Sequence, residues 1–275
     1  MSWKRILVHV KPYRDCMPAI DAALQIAKPL GAHLTALYTL RELAMLKIVF
    51  GPEHKEVLEA ASRDRPLTDK AEHAFRTRCE AAAVPANWDV AEGNTSELLS
   101  LAGRCHDLIV VQQSAPVRDD LGAEIIEECA IFSGVPTLIV PNTSTSPTFP
   151  KQVVVAWNHS RQSAAALRGA MPLVERADRV IALVGERRDL TPSVTKAPRH
   201  DIAELLKAHA TKVEIVSFAP SGGDDGSQLL KAAHEAQGDV LVMGAYGRSA
   251  WREFLLGGAT RQVITNLDIP VLMGH

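Results

Sequence analysis

The residues of this chain with the most capacity for chemistry lie near its end, in the run Gly244-Ala-Tyr-Gly247-Arg-Ser-Ala-Trp-Arg-Glu-Phe-Leu-Leu-Gly257-Gly258-Ala-Thr260. Val240-Leu-Val-Met243 precedes them, an apolar run too short for a helix that predicts a buried strand. Ala259–Thr265 has helical spacing and stops before Pro270. The glycines therefore stand where a strand hands over to a helix. In parallel α/β sheets that is where ligands bind, with the unpaired N–H groups of a helix start facing an anion. Gly244 and Gly247 lack a Cβ, which permits positive φ or close approach of the backbone to a ligand, and Gly257 and Gly258 offer the same just before the helix. Arg248 can neutralise phosphate charge, and Ser249 or Thr260 can touch phosphate or a bound Mg²⁺. The spacing matches neither G-x-x-x-x-G-K-[ST] nor G-x-G-x-x-G, so on the residues alone both phosphate binding and plain turn punctuation stay open.

No catalytic pattern accompanies this stretch. A G-x-S-x-G elbow and an H-E-x-x-H pair are missing from the sequence, and no carboxylate pair can be placed beside the glycines. The expected roles are binding roles, with slow ATPase activity as the most an enzyme reading supports. His9, His159, His200 and His234 have no partner at metal-ligand spacing and read as surface or core residues. Cys16, Cys79, Cys105 and Cys129 are scattered and form no C-x-x-C pair, which predicts free thiols rather than a disulfide framework or a zinc site.

The elements that must position these residues come in two copies. Ile6-Leu-Val-His-Val-Lys11 aligns without a gap to Val153-Val-Val-Ala-Trp-Asn158, each followed by a turn and a helix opening. His106-Asp-Leu-Ile-Val-Val111 aligns to Gly238-Asp-Val-Leu-Val-Met243, and Ser133–Ile139 aligns to Leu267–Met273 with Pro136 over Pro270. Three matched segments in one order indicate a duplication. Between the copies lies polar, proline-rich Pro141-Asn-Thr-Ser-Thr-Ser-Pro-Thr-Phe-Pro150, which reads as a linker. The domains are accordingly placed at 1–141 and 151–275, with 142–150 between them.

Each copy alternates apolar strands with helices, the pattern of a parallel sheet covered on both faces. In the first, strands are predicted at Arg5–Val10, His33–Tyr38, Trp88–Val90, Leu108–Val111 and Thr137–Val140. In the second they fall at Gln152–Trp157, Arg179–Val184, Lys212–Ser217, Val240–Met243 and Val271–Met273. A single helix is predicted over Arg161–Val174. The fold class is thus α/β, two tandem five-stranded parallel-sheet sandwiches. The chain's 275 residues, 47% hydrophobic and 23% charged, suit this, and a net charge of −2 gives no basic face for nucleic acid. The apolar run after Lys4 and Arg5 is too short for a signal peptide or a membrane span, so a cytoplasmic protein is expected.

The pattern Gly244-x2-Gly247-x9-Gly257, with its flanking strand, Arg248-Ser249 and the closing Asp268-Ile-Pro-Val-Leu, resembles the C-terminal signature of the universal stress protein family. The resemblance covers nearly the whole chain as a tandem pair. It implies strand order 3-2-1-4-5 in each half, pairing of the two final strands, and a pseudo-twofold internal dimer, with a homodimer left open. It also implies that the glycines cradle the phosphates of ATP, with Mg²⁺ as a companion ion. The implied cofactor-binding residues are Asn158, Val184, Met243, Gly244, Gly247, Arg248, Gly257, Gly258, Ala259 and Thr260. Two of these depart from the family pattern. Gly258 stands where members carry Ser or Thr, and Asn158 stands where many nucleotide-binding members carry Asp, although Asn can still donate and accept. Asn158-His-Ser160 also reads simply as a turn and helix cap.

The first half has diverged. It carries Gln112-Gln-Ser-Ala115 in place of Gly244-Ala-Tyr-Gly247, Lys11 in place of Asn158, and Asp119, Asp120 and Glu124 where phosphate would lie. It is not expected to bind a triphosphate. Ser221-Gly-Gly-Asp-Asp-Gly-Ser227 resembles a loop of ATP pyrophosphatases, but it follows the third strand of its half and reads as a turn leading into the next helix. The insertion at 41–65, with Leu43, Met45, Leu46, Ile48, Val49 and Phe50, is expected to pack on its own domain, with pocket capping or a partner contact as alternatives. The sequence thus points to a stress-response protein that binds ATP or a related adenine nucleotide in its second half and reports occupancy to a protein partner. The alternative is a ligand-free dimerisation or docking protein of the same fold.

Overall fold

The computed structural model describes residues 2–11, 16–40, 67–113, 120–142, 149–185, 201–220, 224–245 and 258–275. The insertion at 41–65, Ala115 and Asp119 of the first half, most of the linker, Ser221–Gly223, and Gly247, Arg248, Ser249 and Gly257 lie outside the described residues.

The first half runs β1 (Arg5–Val10), α1 (Met17–Leu30), β2 (His33–Leu40), α2 (Thr68–Ala82), β3 (Ala86–Glu92), α3 (Thr95–Gly103), β4 (Leu108–Gln112), α4 (Asp120–Phe132) and β5 (Thr137–Val140). The second runs β6 (Gln152–Trp157), α5 (Arg161–Gly169), α6 (Met171–Val174), β7 (Arg179–Val184), α7 (Ile202–His209), β8 (Val213–Ser217), α8 (Asp225–Glu235), β9 (Val240–Gly244), α9 (Gly258–Asn266) and β10 (Val271–Gly274). All ten strands join one sheet in the order β3-β2-β1-β4-β5-β10-β9-β6-β7-β8. Within each half the pairing is parallel and follows 3-2-1-4-5. The halves meet through one antiparallel pair, with Val271 opposite Ile139 and Met273 opposite Thr137. The order reads the same from either end, the signature of a pseudo-twofold axis between β5 and β10.

Side chains alternate across the strands, so β1 sends Ile6, Val8 and Val10 to one layer and Leu7 to the other. The first layer contains α1, α2, α5, α6 and α7, and its apolar cluster continues from Ile6 and Leu138 to Val155 and Leu272 across the junction. The second contains α3, α4, α8 and α9.

The duplication is repeated in individual hydrogen bonds. Asp107 Oδ2 accepts from the N–H groups of Lys4 and Arg5 at 2.7 and 2.9 Å, and Asp239 Oδ2 accepts from Lys151 and Gln152 at 2.8 and 2.8 Å. Each aspartate thereby ties the strand-four entry to the strand-one entry of its own half. The matched prolines behave alike: Pro136 O accepts from Ile109 N–H at 3.0 Å and Pro270 O from Leu241 N–H at 2.9 Å.

One helix differs from expectation. Arg161–Val174 is divided at Ala170 into α5 and α6. Pro172 has no N–H to continue the ladder back to Arg168, and it sits in the first turn of α6, where that loss costs nothing.

Candidate functional site

In the second half the chain leaves β6 toward β7 on one side, while β9 lies on the other. That reversal opens a crevice beyond the carboxyl ends of β6 and β9, the place where open α/β sheets take ligands. Trp157 pairs with Val184, Val155 with Val242, and the Gly185 N–H donates to Trp157 O at 2.8 Å. The ends of the three neighbouring strands therefore bring Asn158, Val184, Met243 and Gly244 to one edge. Helices α5 and α9 both begin at this edge, each directing its first N–H groups toward it.

The turn into α5 is built from its own side chains. Asn158 Oδ1 accepts from Ser160 N–H at 3.2 Å, and Ser160 Oγ accepts from Ser163 N–H at 3.1 Å, capping the helix. His159 has φ +61°, and its Nδ1 accepts from Trp157 Nε1–H at 3.2 Å. Asn158 is exposed and spends its oxygen on the turn, the cap role that its sequence context allows.

The glycines divide into two kinds. Gly244 is a strand residue paired with Gly274, not a positive-φ turn residue. A Cβ there would lie 2.6 Å from Ser163 N and 2.7 Å from the Gln162 carbonyl carbon, so the first turn of α5 occupies the space a side chain would need. Gly244 thus answers first to helix packing. Gly258, the first residue of α9, is exposed, and a Cβ there would meet no atom within 4 Å. Ala259 is half-buried; Met243 and Thr260 are buried at 5% and 6% exposure, so the Thr260 side chain is held in the fold rather than displayed at the helix start. None of the described residues stands against the first N–H groups of α9 at Gly258. Among the described residues no group of His, Cys, Asp or Glu could hold a metal ion.

The matching edge of the first half is filled. Gln112, 5% exposed, accepts at Oε1 from Ala19 N–H (3.4 Å) and donates from Nε2 to Asn142 Oδ1 (2.9 Å). Lys11 Nζ reaches Gln112 O at 3.5 Å. His9, 2% exposed, sits inward of them with Nε2 2.9 Å from Thr39 Oγ1, while its buried Nδ1 has no partner. Burial, helped by the Lys11 charge, pushes its pKa down to about 3, so it is neutral. His9 is a core histidine, and only its place inside an apolar run hinted at that. Gln113 also escaped the sequence reading, since nothing local shows what it touches.

A groove of about 530 Å³ lies between β7, β8 and α8, over Ile181, Leu183, Val216 and Phe218. Its Phe218 end borders the strand ends that carry Val184, whose O accepts from Phe218 N–H at 2.8 Å.

The doubled open α/β fold, with the strand order reversing once in each half, defines the class. Residues 150–275 match the model of the universal stress protein family. A universal stress protein from Archaeoglobus fulgidus is 17% identical over 98% of this chain and 95% of its own, with TM-score 0.70. A functionally unknown protein from Pseudomonas aeruginosa is 14% identical over 99% and 92%, with TM-score 0.59. By sequence the second half matches the universal stress protein family, and the whole chain shares the doubled fold of the Archaeoglobus fulgidus protein. A universal stress protein solved in complex with cAMP aligns with 52% of this chain and 100% of its own, at 19% identity and TM-score 0.40. No curated protein matches the sequence. Among the described residues no helix is long and apolar enough to cross a membrane.

Proposed function

We propose that the second half binds an adenine nucleotide, with Mg·ATP as the leading species, in the crevice between β6 and β9, and that occupancy changes how the protein meets a partner in a stress response. The observation that carries this reading is the contrast between the two switch-point edges. At one, the start of α9 at Gly258 has no described residue within 4 Å of an added Cβ, and at the other Gln112 and Lys11 take the space. Phosphate would take the N–H groups at the start of α9, with Gly247, Arg248 and Gly257 contributing as the family resemblance implies. The base and ribose would lie toward Asn158 and Val184. The domains are proposed as 1–141 and 151–275. Binding is the role these residues support, with slow ATPase activity as the most an enzyme reading allows.

The test is calorimetric titration of the full chain with ATP at fixed Mg²⁺ and salt, beside mass spectrometry of ligand released from freshly purified protein. The expected result is one site per chain, abolished in Gly247→Val, whose branched side chain would stand where the phosphates lie. A folded Gly247→Val that binds ATP as well as the parent sinks this use of the glycines. A melting temperature unmoved by saturating nucleotide favours the ligand-free docking protein, because selective binding to the native state must stabilise it.

A further inference from the structure

Gln113 belongs to the first half but serves the second. Its side chain, 8% exposed, donates from Nε2 to Thr265 O at 2.9 Å and lies 3.5 Å from Ile264 O, both at the carboxyl end of α9. Its Oε1 accepts from Asn142 N–H at 3.4 Å, and its own N–H donates to Val140 O at 2.8 Å, so the group is tied at both ends. The last carbonyls of a helix have no intrahelical donor, so a side-chain N–H held against them satisfies one that the helix leaves open. Ala245 holds the equivalent place in the second half: its N–H makes the matching bond to Gly274 O at 2.8 Å, but it has no side chain to reach across. Among the described residues the latch runs one way, from the first half to the second.

Helix α9 has nine residues, so its two ends are about 13 Å apart at 1.5 Å per residue. What fixes one end of so short a rod fixes the other. We infer that Gln113 is a positioning residue for the nucleotide site: by capping the end of α9 it sets where the N–H groups of Gly258–Thr260 stand at the crevice. The inference rests on the nucleotide reading. It gives the first half a role after the loss of its own site, as a support for the site of the second.

The test uses the full chain with Gln113→Met, which keeps the length and loses the donor, and Gln113→Glu, which keeps the shape and sets a carboxylate against carbonyl oxygens at the negative end of the helix. Affinity for Mg·ATP is measured by calorimetry well below the onset of unfolding, with circular dichroism confirming the fold. Gln113→Met should weaken binding about fivefold, or about 1 kcal/mol at about 1.4 kcal/mol per decade. Gln113→Glu should weaken it further near pH 7.5 and recover toward about pH 5, because a buried carboxyl raised in pKa regains a donor on protonation. Gln113→Met should show no such recovery relative to the parent. A purely structural Gln113 would lower the melting temperature of both variants and leave affinity unchanged, and that result overturns the inference. If Gln113→Met does not fold, Gln113→Asn, one methylene short, should weaken binding in the same direction, and unchanged affinity there overturns it equally. A parent that binds no nucleotide instead sinks the nucleotide reading, and the inference with it.

Discussion

At the scale of single residues, Gly244 and Gly258 show that one residue type answers to unlike constraints. At Gly244 the obstacles to a Cβ, at 2.6 and 2.7 Å, are backbone atoms of α5, which cannot rotate away. Gly244→Ala should therefore cost about 1–3 kcal/mol in urea unfolding, whether or not nucleotide is present. Gly258 has open space, so Gly258→Ser should leave stability within about 0.5 kcal/mol. The new hydroxyl can reach a charged phosphate, and ATP should bind up to about tenfold more tightly by calorimetry. Weaker binding in folded Gly258→Ser would move the phosphates away from the start of α9. His9 sets a different dependence. Its folded pKa of about 3 lies below the unfolded value of about 6.5, so below pH 6.5 the unfolded chain binds a proton that the native state refuses. Stability attributable to His9 is complete above that pH and falls as the pH drops, by about 2 kcal/mol between pH 7 and pH 5. His106, also lowered by burial, adds in the same direction. His9→Phe should flatten this part of the profile in urea unfolding at the two pH values, and an unchanged slope would show that His9 protonates in place.

At the scale of elements, α9 is held by helices of both halves. Glu127 of α4 approaches Arg261 at 4.0 Å, and Gln262 Oε1 accepts from Gly226 N–H of α8 at 3.2 Å. A Cβ on Gly226 would lie 2.6 Å from Ala259 O and 2.7 Å from Gln262 Cβ, so α8 and α9 touch through the missing side chain. Gly226→Ala should force the two apart, lowering stability by about 1–3 kcal/mol and weakening ATP binding, because Ala259 is at the site. Thermal melts and titration of the same variant check both effects; unchanged affinity in a destabilised protein would uncouple α8 from the site. Gly226 also lies in the Ser221–Ser227 run, where spacing alone invited a phosphate-loop comparison and the described part instead shows a helix–helix contact. The strands were legible because their apolar runs are short and bounded, and their bounds moved by at most two residues at either end. The edge strand β3 was read too short, since Val90 is 48% exposed and its alternation with Trp88 is imperfect. The division of α5 from α6 was hidden by an alanine-rich helical run that continues past Gly169. Strand order came from family likeness, as periodicity carries no order. The roles of Gly244, Gly226 and Gln113 were illegible for one reason: each depends on backbone distant in sequence, more than 150 residues away for Gln113 and Thr265.

At the scale of the whole molecule, the junction between the halves is a continuation of the sheet rather than a contact between finished bodies. The β5–β10 ladder pairs Leu272 with Leu138, and both belong to the apolar cluster that crosses the junction. On the same layer a Cβ on Gly169 would lie 3.0 Å from Pro136 Cβ, so α5 packs directly against the first half. On the other layer Gln113 reaches Thr265 and Glu127 faces Arg261. Separating the halves would expose β5 and β10 as unpaired, buried-type edges, which invite pairing with another strand. Covalent continuity through 142–150 is therefore not what holds them together. A site-specific protease sequence inserted near Thr145 and cut to completion should yield two polypeptides that co-elute in gel filtration at the volume of the intact chain. Unfolding midpoints should be independent of protein concentration before cleavage. After cleavage they should rise with concentration, because dissociation then accompanies unfolding and mass action enters. The nicked protein should keep its affinity for Mg·ATP, since a cut near Thr145 leaves Asn142 on Gln113 and the other described contacts of α9 in place. Two peaks of half size in gel filtration would show that the ladder alone cannot hold the halves. Co-elution with lost affinity would place the linker, rather than the sheet and Gln113, in control of the site.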